Sequence, residues 1–135
     1  MKELTLKASV ENIASATEFI DSCLESLDCP MKAQMQIDVA IDELFGNIAL
    51  YGYPDGDGDI TVRFGFDEAE REASVTFIDS GIPFDPLETE IPDVKASSED
   101  RKIGGLGIFL VRKTMDGMEY EYKDGKNHTT IKKKI

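Results

Sequence analysis

Glu43 and Asn47 are two residues whose types and spacing could do chemistry together. They lie within residues 31–51, where Ile37, Ile41, Leu44, Ile48 and Tyr51 recur at helical spacing. Residues four apart on an α-helix sit one above the other, so Glu43 and Asn47 share one edge of the apolar stripe that enters a core. A carboxylate and a carboxamide half-sunk at the edge of a core need partners for their polar atoms. Buried without partners, each would cost roughly 1–3 kcal/mol. The plainer account is a polar edge satisfied by backbone or water, and taken alone the pair favours it.

The downstream residues shift that balance. Ala73, Val75, Phe77 and Asp79 share one parity of a strand, so the pleat that buries the apolar three also turns the Asp79 carboxylate inward. Gly81 follows at the strand end. Gly105-x-Gly107 opens a helix expected over residues 108–115. Thr129 shares the parity of Ile131 and Ile135 on the last strand. Each feature also has a structural explanation: Gly81 can turn the chain, the later glycines can end a loop, and Thr129 suits any strand. Asp79 resists one, because its parity opposes its chemistry. The chain has no Gly-x-x-x-x-Gly-Lys-Ser/Thr run, and its glycines come too late, without a βαβ unit, for a dinucleotide fold.

The elements that must position these residues follow from periodicity. A strand is expected over residues 3–8, with Leu4, Leu6 and Ala8 on one face. Ser9 can cap a helix whose stripe is Ile13, Ala16, Ile20, Cys23, Leu24 and Leu27. Pro30 suits the first turn of the helix carrying Glu43. After the turn at 55–58, Ile60, Val62, Phe64 and Phe66 alternate as a strand. Residues 67–72 turn the chain into the strand that ends at Asp79. Residues 87–102 form a long polar stretch without strand period, the pattern of a lid. Two closing strands, 118–122 and 128–135, flank the hairpin signal Asp124-Gly125.

With 135 residues the chain suits one domain, spanning 1–135, with one core. A net charge of −12 argues against nucleic acid as a partner, which would require a basic footprint. No apolar run is long enough to span a bilayer and no signal-peptide pattern opens the chain, so a cytoplasmic location is expected. Cys23 and Cys29 lack the histidine neighbours of a metal site, and Cys23 reads as a reduced core residue.

In its order, the set Glu43-x-x-x-Asn47, Asp79-x-Gly81, Gly105-x-Gly107 and Thr129 resembles the GHKL ATPase superfamily. The run Asp79-Ser80-Gly81-Ile82-Pro83-Phe84-Asp85-Pro86 is most like the small bacterial serine-protein kinases that act as anti-sigma factors. The resemblance implies an α+β two-layer sandwich, a mixed, mainly antiparallel sheet with helices on one face. It implies ATP and Mg²⁺ as cofactors, with Asn47 ligating the ion and Glu43 acting as general base. Asp79 would accept a hydrogen bond from the adenine amino group, with Thr129 beside it. Gly81 would let backbone approach the base, and Gly105 and Gly107 would bring amides to the phosphates. The activity implied is phosphorylation of a serine or threonine on an anti-anti-sigma STAS-domain partner. A sigma factor is a second partner and a homodimer a further expectation. The alternative from another class is a non-catalytic, nucleotide-gated binding module. His128 stands where the family usually has glycine, and Arg101 and Lys102 are candidates for a basic contact to the terminal phosphate.

Overall fold

Strand alternation sorts the chain onto one sheet with an apolar and a polar face. The computed structural model describes residues 1–88 and 105–135. In chain order the elements are β1 (Lys2–Lys7), α1 (Ile13–Glu25), α2 (Met31–Asn47), β2 (Asp59–Asp67), β3 (Glu72–Asp79), α3 (Gly105–Thr114), β4 (Gly117–Lys123) and β5 (Lys126–Lys134). The five strands form one sheet in the order β1-β2-β3-β5-β4. Every pairing in it is antiparallel, so the parallel component allowed for in a mixed sheet is not used.

Register lines up Leu4, Val62, Phe77, Thr129 and Tyr120 across the sheet. This row belongs to the face that packs against the helices, and Val62 and Phe77 are fully buried there. The opposite face carries hydroxyl pairs, Thr5 with Thr61 and Thr76 with Thr130, each at 2.8 Å. The result is two layers: helices on the apolar face, water on the other.

α1 contributes Ala16, Ile20, Cys23 and Leu24 to the core, and α2 contributes Ile37, Ala40, Ile41, Leu44 and Phe45. Burying each large apolar side chain is worth roughly 1.5–3 kcal/mol relative to exposure. This stripe, more than propensity, holds α2 in place. Ser9 caps a short 3₁₀ turn, Val10–Asn12, that leads into α1. α1 ends at Glu25, and Leu27 packs partly buried beyond it. Pro30 occupies the cap position before Met31 rather than the first turn itself.

Two departures from the periodicity matter for the site. α2 stops at Asn47, and residues Ile48–Gly52 continue as a π-type turn. Its wider i→i+5 winding breaks the stripe's phase, so Tyr51, expected in the core, is 46% exposed. α3 begins at Gly105, three residues before the expected start, which puts Gly107 inside its first turn. The hairpin between β4 and β5 turns on Asp124 (φ 56°) and Gly125 (φ 75°), the two positive φ values that a two-residue loop between twisted strands requires. The expected lid lies mostly outside the described residues; of it only Leu87 and Glu88 are seen, in the 3₁₀ turn Pro86–Glu88.

Candidate functional site

The C-terminal end of α2, the end of β3 and the start of β5 meet around a cavity of about 140 Å³. Leu44, Asn47, Ile48, Tyr51 and Gly52 form one wall, and Ile82, Phe84 and Pro86 another. Asp79, Asn127 and Thr129 supply its polar floor from neighbouring strands. A concave, mostly apolar cavity with a few fixed polar groups is the usual form of a small-molecule site.

Asp79 is only 5% exposed. Its Oδ1 accepts from the Gly81 N–H at 2.9 Å and from Asn127 Nδ2 at 3.0 Å. Among the described residues no hydrogen bond uses Oδ2. Burial pushes the carboxyl above its ordinary range, while the two hydrogen bonds and the charge of His128 pull it back. β3 therefore places an acceptor atom at the floor of a largely apolar slot.

Gly81 does not line this cavity. It lies behind Asp79, where a Cβ would overlap the Gly52 carbonyl oxygen. The same carbonyl accepts from the Ile82 N–H at 2.9 Å. The absence of a side chain at Gly81 thus lets the loop after β3 close against the π-type turn after α2. Thr129 is 6% exposed and stands two residues beyond Asn127 on the same face of β5.

Asn47 lines the cavity, and its Nδ2 is buried with no partner among the described residues. No hydrogen bond among the described residues engages its amide, which leaves the group available to a ligand. Glu43, one turn earlier, lies outside the cavity lining and faces α3 instead. A Cβ on Gly107 would overlap Glu43 Oε2, so the glycine lets the carboxylate sit directly against the first turn of α3. Burial, and secondarily the charge of Asp42, raises the Glu43 carboxyl above its ordinary value. Gly105 begins the same turn. The structure thus brings Asn47, Asp79 and Thr129 around one cavity. It joins Glu43 to Gly107 beside it, and Gly81 supports the floor from behind.

No group of three or more His, Cys, Asp or Glu able to hold a metal occurs among the described residues. Asn47 and Glu43 are both hard oxygen donors. A site so sparse suits an ion that takes most of its ligands from phosphate and water, as Mg²⁺ does.

Sequence reasoning passed over Asn127. It sits two residues after the hairpin glycine, where asparagine reads as turn chemistry. Its parity with Thr129 and Ile131 was the available signal, and β5 does begin early enough, at Lys126, to include it.

Residues 6–133 match the histidine kinase-like ATPase domain. The chain is similar to the serine-protein kinase RsbW of Listeria monocytogenes, at 33% identity over 125 residues, covering 88% of this chain and 71% of that one. It is also similar to the anti-sigma F factor of Clostridium acetobutylicum, at 26% identity over 132 residues, 98% and 91% of the two chains. The serine/threonine-protein kinase BtrW of Bordetella bronchiseptica matches at 27% over 100 residues, 74% and 70% of the two. No helix among the described residues is long and apolar enough to cross a membrane.

Proposed function

Because the chain belongs to the histidine kinase-like ATPase domain family, we propose that it is an ATP-dependent serine/threonine kinase of the anti-sigma type. The substrate in this reading is a STAS-domain anti-anti-sigma protein, and a sigma factor is the second partner. The observation that carries the reading is the meeting of Asp79, Asn47 and Thr129 around one apolar cavity, with Glu43 against the first turn of α3 beside it. The names of the relatives, kinases and an anti-sigma factor, support the same reading.

In this scheme the adenine enters the slot and its amino group donates to Asp79, with Thr129 as a second polar contact. Asn47 would hold Mg²⁺ through its amide oxygen, and the ion would supply positive charge to offset that of the phosphates. Gly105 and Gly107 leave the amides at the start of α3 open to the phosphates. Glu43 takes the proton of the substrate hydroxyl as its oxygen bonds to the γ-phosphorus and ADP departs with the electron pair of the broken P–O bond. Desolvation of Glu43 suits that role, because it raises the affinity of the carboxylate for a proton.

The test is transfer of labelled phosphate from ATP to a serine of STAS-domain proteins from the same source, with nucleotide affinity measured in parallel. Glu43→Gln keeps size and removes the base, and should lower transfer by roughly 10²–10⁴-fold while leaving ATP affinity largely intact. Tight ATP binding with no transfer to any such partner, in the unmodified protein, would favour a nucleotide-gated binding module instead.

A further inference from the structure

Asn127 has no part in the scheme above, yet every bonding position of its amide is filled. It is 3% exposed and lies directly opposite Asp79 in the β3–β5 register. Its Nδ2 donates to Asp79 Oδ1 at 3.0 Å and to the Ile82 carbonyl at 3.0 Å. Its Oδ1 accepts from the Phe84 N–H at 3.1 Å and from the Tyr120 hydroxyl. A backbone carbonyl can only accept and a backbone N–H can only donate. Ile82 and Phe84 therefore fix which end of the amide is nitrogen, and Asp79 necessarily receives an N–H.

This arrangement does two things at once. With the Gly81 N–H, it fills Asp79 Oδ1 with two donors. It also ties the backbone at Ile82 and Phe84, two side chains of the apolar wall, to the strand that carries Thr129. We propose that Asn127 is a positioning residue for base selectivity: by occupying Asp79 Oδ1 it commits Oδ2 to the exocyclic amino group of a 6-aminopurine. The proposal rests on the reading of the cavity as the adenine site.

The chemistry gives a direction as well as a loss. Around Asp79 stand Asn127 and His128 from β5, Tyr120 from β4 and Tyr53 from the segment before β2. The Asn127 bond favours the ionised carboxylate against the burial that opposes it. Without that bond the carboxyl is freer to rotate and to hold a proton, and a protonated carboxyl no longer offers only acceptors.

The experiment compares ATP with purine riboside 5′-triphosphate, which has hydrogen in place of the 6-amino group, by isothermal titration. The unmodified protein should prefer ATP by about tenfold or more, the range expected for a hydrogen bond to a charged acceptor. Asn127→Ala should bring the ratio close to one, with affinity for the analogue changed by less than about threefold. If the alanine variant does not fold, Asn127→Ser serves, because its hydroxyl is too short to reach Asp79 and Ile82 together; the ratio should collapse in the same way. A ratio unchanged in the folded variant, or equal losses for both nucleotides, would reduce Asn127 to a structural role and overturn the proposal. No preference for ATP in the unmodified protein would instead overturn the adenine reading itself, before any variant is made.

Discussion

Asp38 on α2 and Asp21 on α1 meet between the two helices, and the Oδ1 of each is buried with no hydrogen-bond partner among the described residues. Two ionised carboxylates brought together out of water repel each other, so the contact favours a proton on one of them. Burial, then the adjoining Asp21 carboxyl and the charges of Asp21 and Glu25, push Asp38 up to about 7. Glu25 accepts from Gln34 Nε2 at 3.0 Å, and Arg71 and Cys29 stand nearby. In the unfolded chain Asp38 titrates near the ordinary 3.8, so between those values the folded state holds more protons. The pair's contribution is therefore complete below about pH 4 and lost as pH rises through about 7. Asp38→Asn, with an amide to donate to Asp21, should flatten that fall. At pH 8 it should be more stable than the parent by roughly 1 kcal/mol, a figure reduced for partial solvent exposure. Urea melts at pH 5 and pH 8 check this; an equal change in stability between the two pH values for parent and variant would count against a proton held at Asp38. None of this was legible from spacing, because Asp21 and Asp38 lie on separate helices and only packing brings them together. Asp79 was legible, since strand parity alone turned it inward.

At the level of elements, two glycines make opposite predictions. An added methyl at Gly81 meets the Gly52 backbone, which cannot move without shifting the turn after α2. Gly81→Ala should thus cost about 1–3 kcal/mol in urea unfolding, the range for overpacking. The obstacle at Gly107 is the far end of the Glu43 side chain, which can swing aside. Gly107→Ala should change stability by less than about 1 kcal/mol, helped by alanine's helix propensity, yet lower phosphate transfer by displacing the carboxylate. Full transfer activity in a stable Gly107→Ala would break the link between Glu43 and the start of α3. The elements themselves were largely legible, because strand alternation and the helical stripes depend on burial that local sequence records. What sequence hid was the change of winding at Ile48 and the early start of α3 at Gly105. Both coincide with contacts to distant residues, Ile82 with the Gly52 carbonyl in the first case and Glu43 with Gly107 in the second, which local periodicity does not record.

For the whole molecule the governing quantity is a net charge of −12 against a ligand that is itself an anion. Several bases are spent on the surface: Arg63 with Glu3 at 3.0 Å, Lys132 with Glu119 at 3.0 Å, and Lys134 with Glu70 at 3.9 Å. The described lining of the cavity contains Asp79 and neither lysine nor arginine. Phosphate capture in this scheme relies on amides at the start of α3 and on the divalent ion, whose fields act at short range. At longer range the protein repels the nucleotide, and added salt screens that repulsion. The association rate of a fluorescent ATP–Mg²⁺ analogue in stopped flow should therefore rise by roughly twofold between about 20 and about 200 mM NaCl. Steering by a basic residue predicts the reverse, because salt weakens attraction as well. A rate that falls with salt would point to Arg101 or Lys102, the basic candidates read from the sequence. Charge-neutral variants of each would then separate them, since only the one that reaches the phosphates should remove the salt dependence.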